Sequence, residues 1–184
     1  EGIGIGVSPA GTKPDDQWES SVLQGKEVNP FCLPGGKVAF WEGIRPITRA
    51  DGGIAVVVGH EVAHALARHG AERMSQSMGL DVFGQILSAG VGIFSPGMGE
   101  AVSQAYGLGA TVGAILPWGR AQESEADHIG LILMAKAGYD PSAAVGFWQR
   151  MSKVQQGGAP PEFLSPTRVT RLASVKSSSG CPKR

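Results

Sequence analysis

Two histidines four residues apart, His60 and His64, sit in a stretch whose apolar residues Ile54, Val57, Val58, Val62, Ala65 and Leu66 recur at helical spacing. On a helix, residues at this separation leave the same face one turn apart. Both imidazoles can then reach a single Zn²⁺ at about 2.0 to 2.1 Å. Glu61, one position on, flanks the pair, where it can take a proton from a water made acidic by the metal. The competing reading is two surface histidines on an amphipathic helix. With only 4 His in the chain, chance gives this His-Glu-x-x-His pattern in about one shuffled sequence in two hundred.

A catalytic zinc takes three protein ligands and keeps a fourth position open. The third is expected in Gln122-Glu123-Ser124-Glu125-Ala126-Asp127, where Glu123 and Asp127 again lie four apart and share a helix face. Glu123 then serves as ligand, and Asp127 accepts a hydrogen bond from the outer nitrogen of a ligating histidine. Glu125 sits about 200° round the helix from Glu123 and reads as a structural carboxylate. His69 is displaced about 140° from His64 and reads as a packing or solvent-facing residue. His128, displaced similarly from Glu123, is a weak alternative ligand or a transition-state donor.

Around these positions the chain reads as α+β and mostly helical. Trp18 to Leu23 and Lys37 to Trp41 are short β-branched and aromatic runs bounded by turn formers, which predicts two strands of a small sheet. One helix is expected from Asp51 to about Met78, and a second from about Arg120 to Ala137, with Gly138 as its terminating glycine. Asp140-Pro141 opens a third, running through Trp148 and Met151 to Gly157-Gly158.

Val82 to Gly119 carries a single charge, Glu100. Each half is nearly long enough to cross a bilayer, so a membrane hairpin has to be weighed. Its glycines and glutamines dilute the hydrophobicity, which favours a soluble helical pair or a mobile lid beside the site.

At 184 residues one metallopeptidase domain is expected, with an irregular lead-in over 1–16 and a flexible tail over 173–184. Sixteen basic residues balance sixteen acidic ones, which leaves no field to attract nucleic acid. Cys32 and Cys181 form neither a disulfide framework nor a Cys-x-x-Cys motif. The chain opens at Glu1 with no initiator Met and no apolar leader, as a mature exported protein or a trimmed piece does.

Asn29-Pro30-Phe31-Cys32-Leu33-Pro34-Gly35-Gly36-Lys37, then Gly43, then residues 59–73 (GHEVAHALARHGAER), then 120–130 (RAQESEADHIG) resemble, in that order, the signatures of peptidase family M48, the CAAX-prenyl-protease-type zinc metallopeptidases. The likeness is nearest to its bacterial periplasmic members and to the catalytic core of its mitochondrial inner-membrane member. It implies a gluzincin: a His-Glu-x-x-His helix, a later helix supplying Glu123, one Zn²⁺ per chain, and a small sheet against which substrate lies. It also implies a periplasmic or membrane-attached location. Two positions depart from the pattern. Cys32 stands where an alanine is common, and Ser165-Pro166 stands where His-Pro is expected. Arg171 most resembles the family's arginine, as transition-state or structural support.

These observations together describe a zinc endopeptidase that cleaves extended segments of polypeptide, with misfolded or unassembled envelope proteins as substrates. Glu61 is its general base, and Lys37, Val38, Ala39, Phe40 and Trp41 are expected to pair with substrate as an edge strand. The rivals are a non-catalytic chaperone that keeps the fold, against which Glu61 argues, and a structural zinc domain, against which three ligands argue.

Overall fold

The computed structural model describes residues 18–33, 36–95 and 97–154. The expected lead-in, the expected tail, Ser165-Pro166, Arg171 and Cys181 lie outside the described residues. Three strands, β1 (Glu19–Leu23), β2 (Phe31–Leu33) and β3 (Lys37–Trp41), precede six helices: α1 (Arg45–Thr48), α2 (Asp51–Leu66), α3 (His69–Phe94), α4 (Met98–Ala110), α5 (Leu116–Lys136) and α6 (Ala143–Val154). The class is the α+β, mostly helical one expected. The described residues divide into two compact units, one holding those up to Ala67 and from Glu123 onward, the other Arg68–Gln122.

In the first unit the sheet order is β1-β3-β2. β1 runs parallel to β3, from Glu19 opposite Lys37 to Leu23 opposite Trp41, and β2 runs antiparallel to it, with Cys32 opposite Val38. Lys37 to Trp41 is therefore the central strand, and the expectation that it forms an edge is corrected. Phe31–Leu33, three residues beside Pro30, is too short to read as a strand in isolation, yet it occupies the flank that an edge would need. Val38 and Phe40 alternate inward from β3 and are buried.

The core they join is built from Ile44, Ile47, Val56, Val57, Val58 and Val62 before and along α2, Leu133 and Met134 of α5, and Phe147, Trp148 and Met151 of α6. α2 starts tight against the preceding turn: a Cβ on Gly53 would lie 2.1 Å from the carbonyl oxygen of Thr48, so only glycine fits. At the far end of α5, Gly138 takes φ +86°, the left-handed conformation expected of a helix-terminating glycine. The Asp140 carboxylate then accepts the Ser142 backbone N–H at 2.8 Å, and α6 begins at Ala143, two residues beyond Pro141.

The long helix expected from Asp51 to Met78 is two helices. Arg68 adopts φ 58°, ψ 29°, which interrupts the helical hydrogen bonding between Leu66 and His69. A non-glycine residue in this region carries a steric cost. The nearby glycine, Gly70, lies inside α3 and the left-handed residue is an arginine, so the local sequence does not announce where the break falls.

The second unit is a helical hairpin. The ring of Tyr106 on α4 covers Gly84 of α3, where a Cβ would come within 2.8 Å of it, and Ser88 Oγ donates to the Gly99 carbonyl at 2.7 Å. A π-helical turn, Thr111–Ile115, joins α4 to α5. Much of the outer surface is apolar, with Ile93 78%, Phe94 88% and Leu108 73% exposed. By length and composition α3 alone would suffice to cross a membrane. At the base of the hairpin, buried Gln122 accepts from Arg73 Nε at 2.6 Å and donates to Glu72 at 2.7 Å.

Candidate active site

α2 presents His60 and His64 from one face, and their Nε2 atoms lie 3.0 Å apart. α5 brings in Glu123, whose Oε2 is 3.3 Å from His60 Nε2 and whose Oε1 is 3.4 Å from His64 Nε2. Each residue offers one donor atom, and the three lie within 4.8 Å of one another. Two donors at 2.0 to 2.1 Å from a tetrahedral ion are about 3.3 Å apart, close to each of the His–His and His–Glu separations here. Two imidazoles and a carboxylate also match the ligand chemistry of catalytic zinc.

Behind the triangle, His60 Nδ1 is 3.0 Å from Asp127 Oδ1, and both residues are buried. The indole of Trp148 stands edge-on to the His60 ring, with centroids 5.9 Å apart. Burial by itself pushes the His60 imidazole down, but its hydrogen bonds to the Asp127 and Glu123 carboxylates override it and lift the group to about 9. Burial also acts to raise the Glu123 carboxyl, and here the two imidazoles win, holding it well below the carboxylate range. Without metal the site is thus an ion pair in which a proton on His60 stands where a cation would bind.

Glu61 differs. Burial raises its carboxyl, with the charge of Glu123 adding to this, while the imidazoles and the backbone N–H of Cys32 on β2 pull the other way. A carboxyl poised upward beside a candidate metal site is what a general base needs.

Not every sequence candidate joins the cluster. Glu125 and His128 are exposed on α5, and neither is among the three converging residues. Arg171 lies outside the described residues. Three contributors went unnoticed in the sequence: β2 beside Glu61, the ring of Trp148 against His60, and a contact between Gly59 and Gly130. The first two arise from tertiary packing, but paired glycines near the ligands on both helices were a readable signal.

The Peptidase family M48 model matches residues 6–179, nearly the whole chain. The chain belongs to peptidase family M48. Among M48 relatives it is 38% identical over 165 residues to the mitochondrial metalloendopeptidase OMA1 of Schizosaccharomyces pombe, covering 88% of this chain and 47% of that protein. The human mitochondrial metalloendopeptidase OMA1 is 32% identical over 159 residues, which are 80% of this chain and 29% of that protein. The beta-barrel assembly-enhancing protease of Escherichia coli is 28% identical over 161 residues, 84% of this chain and 33% of its own. The chain thus spans half or less of the length of these curated relatives. Its kinship to M48 metallopeptidases covers the strands, α2 and α5 alike, and so includes every residue of the candidate site.

Proposed function

We propose that this chain carries the catalytic unit of a zinc-dependent metalloendopeptidase, with His60, His64 and Glu123 as the ligands of one zinc ion. The observation that carries the reading is the convergence of those three donors at zinc-like separations, with Glu61 next to the first of them. When bound, zinc supplies Lewis acidity that polarises a scissile carbonyl and acidifies water. Glu61 takes the proton of the attacking water and passes it to the departing amine, a role suited to a carboxyl that burial has raised. Asp127 accepts a hydrogen bond from the His60 Nδ1–H, which would leave Nε2 free to hold the metal.

An extended polypeptide fits this site by adding to the sheet at β2 rather than at β3. Among the described residues β2 is the outer strand on that side, and it packs beside α2 with its central residue, Cys32, next to Glu61. Unassembled or misfolded envelope proteins are the substrates we favour. Two features support this: kinship to a beta-barrel assembly-enhancing protease, and the bare apolar surface of the α3–α4 hairpin, which suits both unfolded clients and a membrane-attached setting.

The test is elemental analysis of the purified protein together with casein cleavage before and after chelation. One zinc per chain and cleavage that is lost on chelation and restored by zinc are expected. A protein that cleaves casein equally well after its metal is stripped overturns the reading.

A further inference from the structure

We propose that Gly59 and Gly130 are positioning residues for the metal, because their contact lets the two ligand-bearing helices approach closely enough for Glu123 to complete the site. This inference rests on the zinc reading above. The contact is backbone on backbone. A Cβ on Gly130 would lie 2.9 Å from the backbone nitrogen of His60, 3.0 Å from the carbonyl carbon of Gly59 and 3.1 Å from its oxygen. From the other side, a Cβ on Gly59 would lie 2.9 Å from the Gly130 carbonyl oxygen. None of these atoms belongs to a side chain that could rotate away, so an added methyl must move a helix.

Placement makes that movement matter. Gly59 precedes His60 directly, and Gly130 follows Glu123 by seven residues, two turns along nearly the same face of α5. Asp127, which holds His60 at 3.0 Å, lies between Glu123 and Gly130. Small residues extend the contact in both helices: Ala63 stands four after Gly59 and Ala126 four before Gly130, and both are fully buried. Each helix thus presents a small-x-x-x-small pair next to its ligands. The carboxylate of Glu123 reaches the imidazoles at 3.3 and 3.4 Å only while this separation holds. Glutamate is the longest carboxylate side chain, so a helix displaced outward cannot recover the contact by substitution at position 123.

The experiment compares the parent, Gly130→Ala, Gly59→Ala and Val38→Ala, measuring zinc affinity by competition with a chromophoric chelator and melting temperature without metal. Gly130→Ala is expected to lose affinity by roughly 10- to 100-fold, the scale of changes that misplace a ligand through its surroundings. Its cobalt-loaded absorption spectrum should shift towards that of Glu123→Gln. Gly59→Ala, which meets only one close atom, should show a smaller loss in the same direction, and it serves as the deciding variant if Gly130→Ala does not fold. Val38→Ala opens a hole in the core at β3 and should lower the melting temperature while keeping zinc affinity. If the parent binds zinc and a folded glycine variant binds it equally well, the positioning role is overturned while the zinc reading stands. A parent that binds no zinc overturns both.

Discussion

His60 and Asp127 are joined through the imidazole nitrogen that faces away from Glu123, at 3.0 Å and with both residues buried. A metal-facing nitrogen needs its partner nitrogen to carry the proton, and a buried carboxylate enforces that tautomer. Asp127→Asn can still form a hydrogen bond but loses the charge. We expect zinc affinity to fall about 10 to 100-fold with little change in fold. Chelator competition checks this, and unchanged affinity would remove Asp127 from the mechanism.

The carboxylates of α5 should separate cleanly. Glu123→Gln removes a donor from the triangle and should greatly weaken zinc binding, whereas Glu125→Gln alters an exposed position and should leave it near the parental value. Equilibrium dialysis of both variants decides. A larger loss at Glu125 would mean that the metal is held by another face of the helix.

Glu61→Gln tests chemistry apart from metal binding. The amide cannot accept the water's proton, so peptide cleavage should drop by about 10² to 10⁴-fold, the usual contribution of a positioned base. Zinc content should stay at the parental level. Metal loss in parallel with activity would indicate that Glu61 supports the ligands instead.

The metal-free protein should have a distinctive pH profile. His60 keeps its proton to about 9 against an ordinary 6.5, so its ion pair contributes fully below about 6.5 and is lost as pH rises through about 9. Glu123 is held below its ordinary 4.5, so its share is present above that value and disappears as pH falls beneath it. Glu61, raised by burial, adds a loss that sets in as pH rises above its ordinary 4.5. Thermal melting of the chelated protein should therefore peak between about pH 4.5 and 6.5. Zinc affinity should move oppositely over the alkaline range, rising towards pH 9 as the competing proton leaves His60. A melting temperature that climbs from pH 6.5 to 9 would contradict the assignment.

Phe147 offers a stability test in the core, one ring removed from His60 through Trp148. It is 1% exposed in the centre of the core, and Phe147→Ala should cost about 3 to 5 kcal/mol. Chemical denaturation of the zinc-free protein measures this. A loss under about 1 kcal/mol would show that α6 contributes little to folding.

What could be read from the sequence was local. His60, His64, Glu123 and Asp127 were recognisable because helical spacing alone places each pair on one face, and Gly138 because a helix end favours glycine there. The break at Arg68 was hidden, since the positive φ falls on an arginine while the nearby glycine, Gly70, is helical. Lys37 to Trp41 looked like an edge because β2 is short and lies next to a proline, and only its pairing shows that the flank is filled. α5 begins at Leu116 rather than near Arg120, because a π-helical turn carries helical geometry through residues whose glycines suggested a loop.

The hairpin has a further consequence at the bench. The chain's formal net charge is zero and its pI is about 7.2, so near neutral pH molecules scarcely repel one another. Ile93, Phe94, Leu108 and their neighbours then offer adhesive surface with no electrostatic barrier in front of it. Neutral buffer is where this chain should be least soluble, and added sulfate should precipitate it sooner by strengthening apolar association. Two or three acidic substitutions on the outer face of α3, such as Ile86→Glu and Ile93→Glu, should widen the soluble range without touching a ligand.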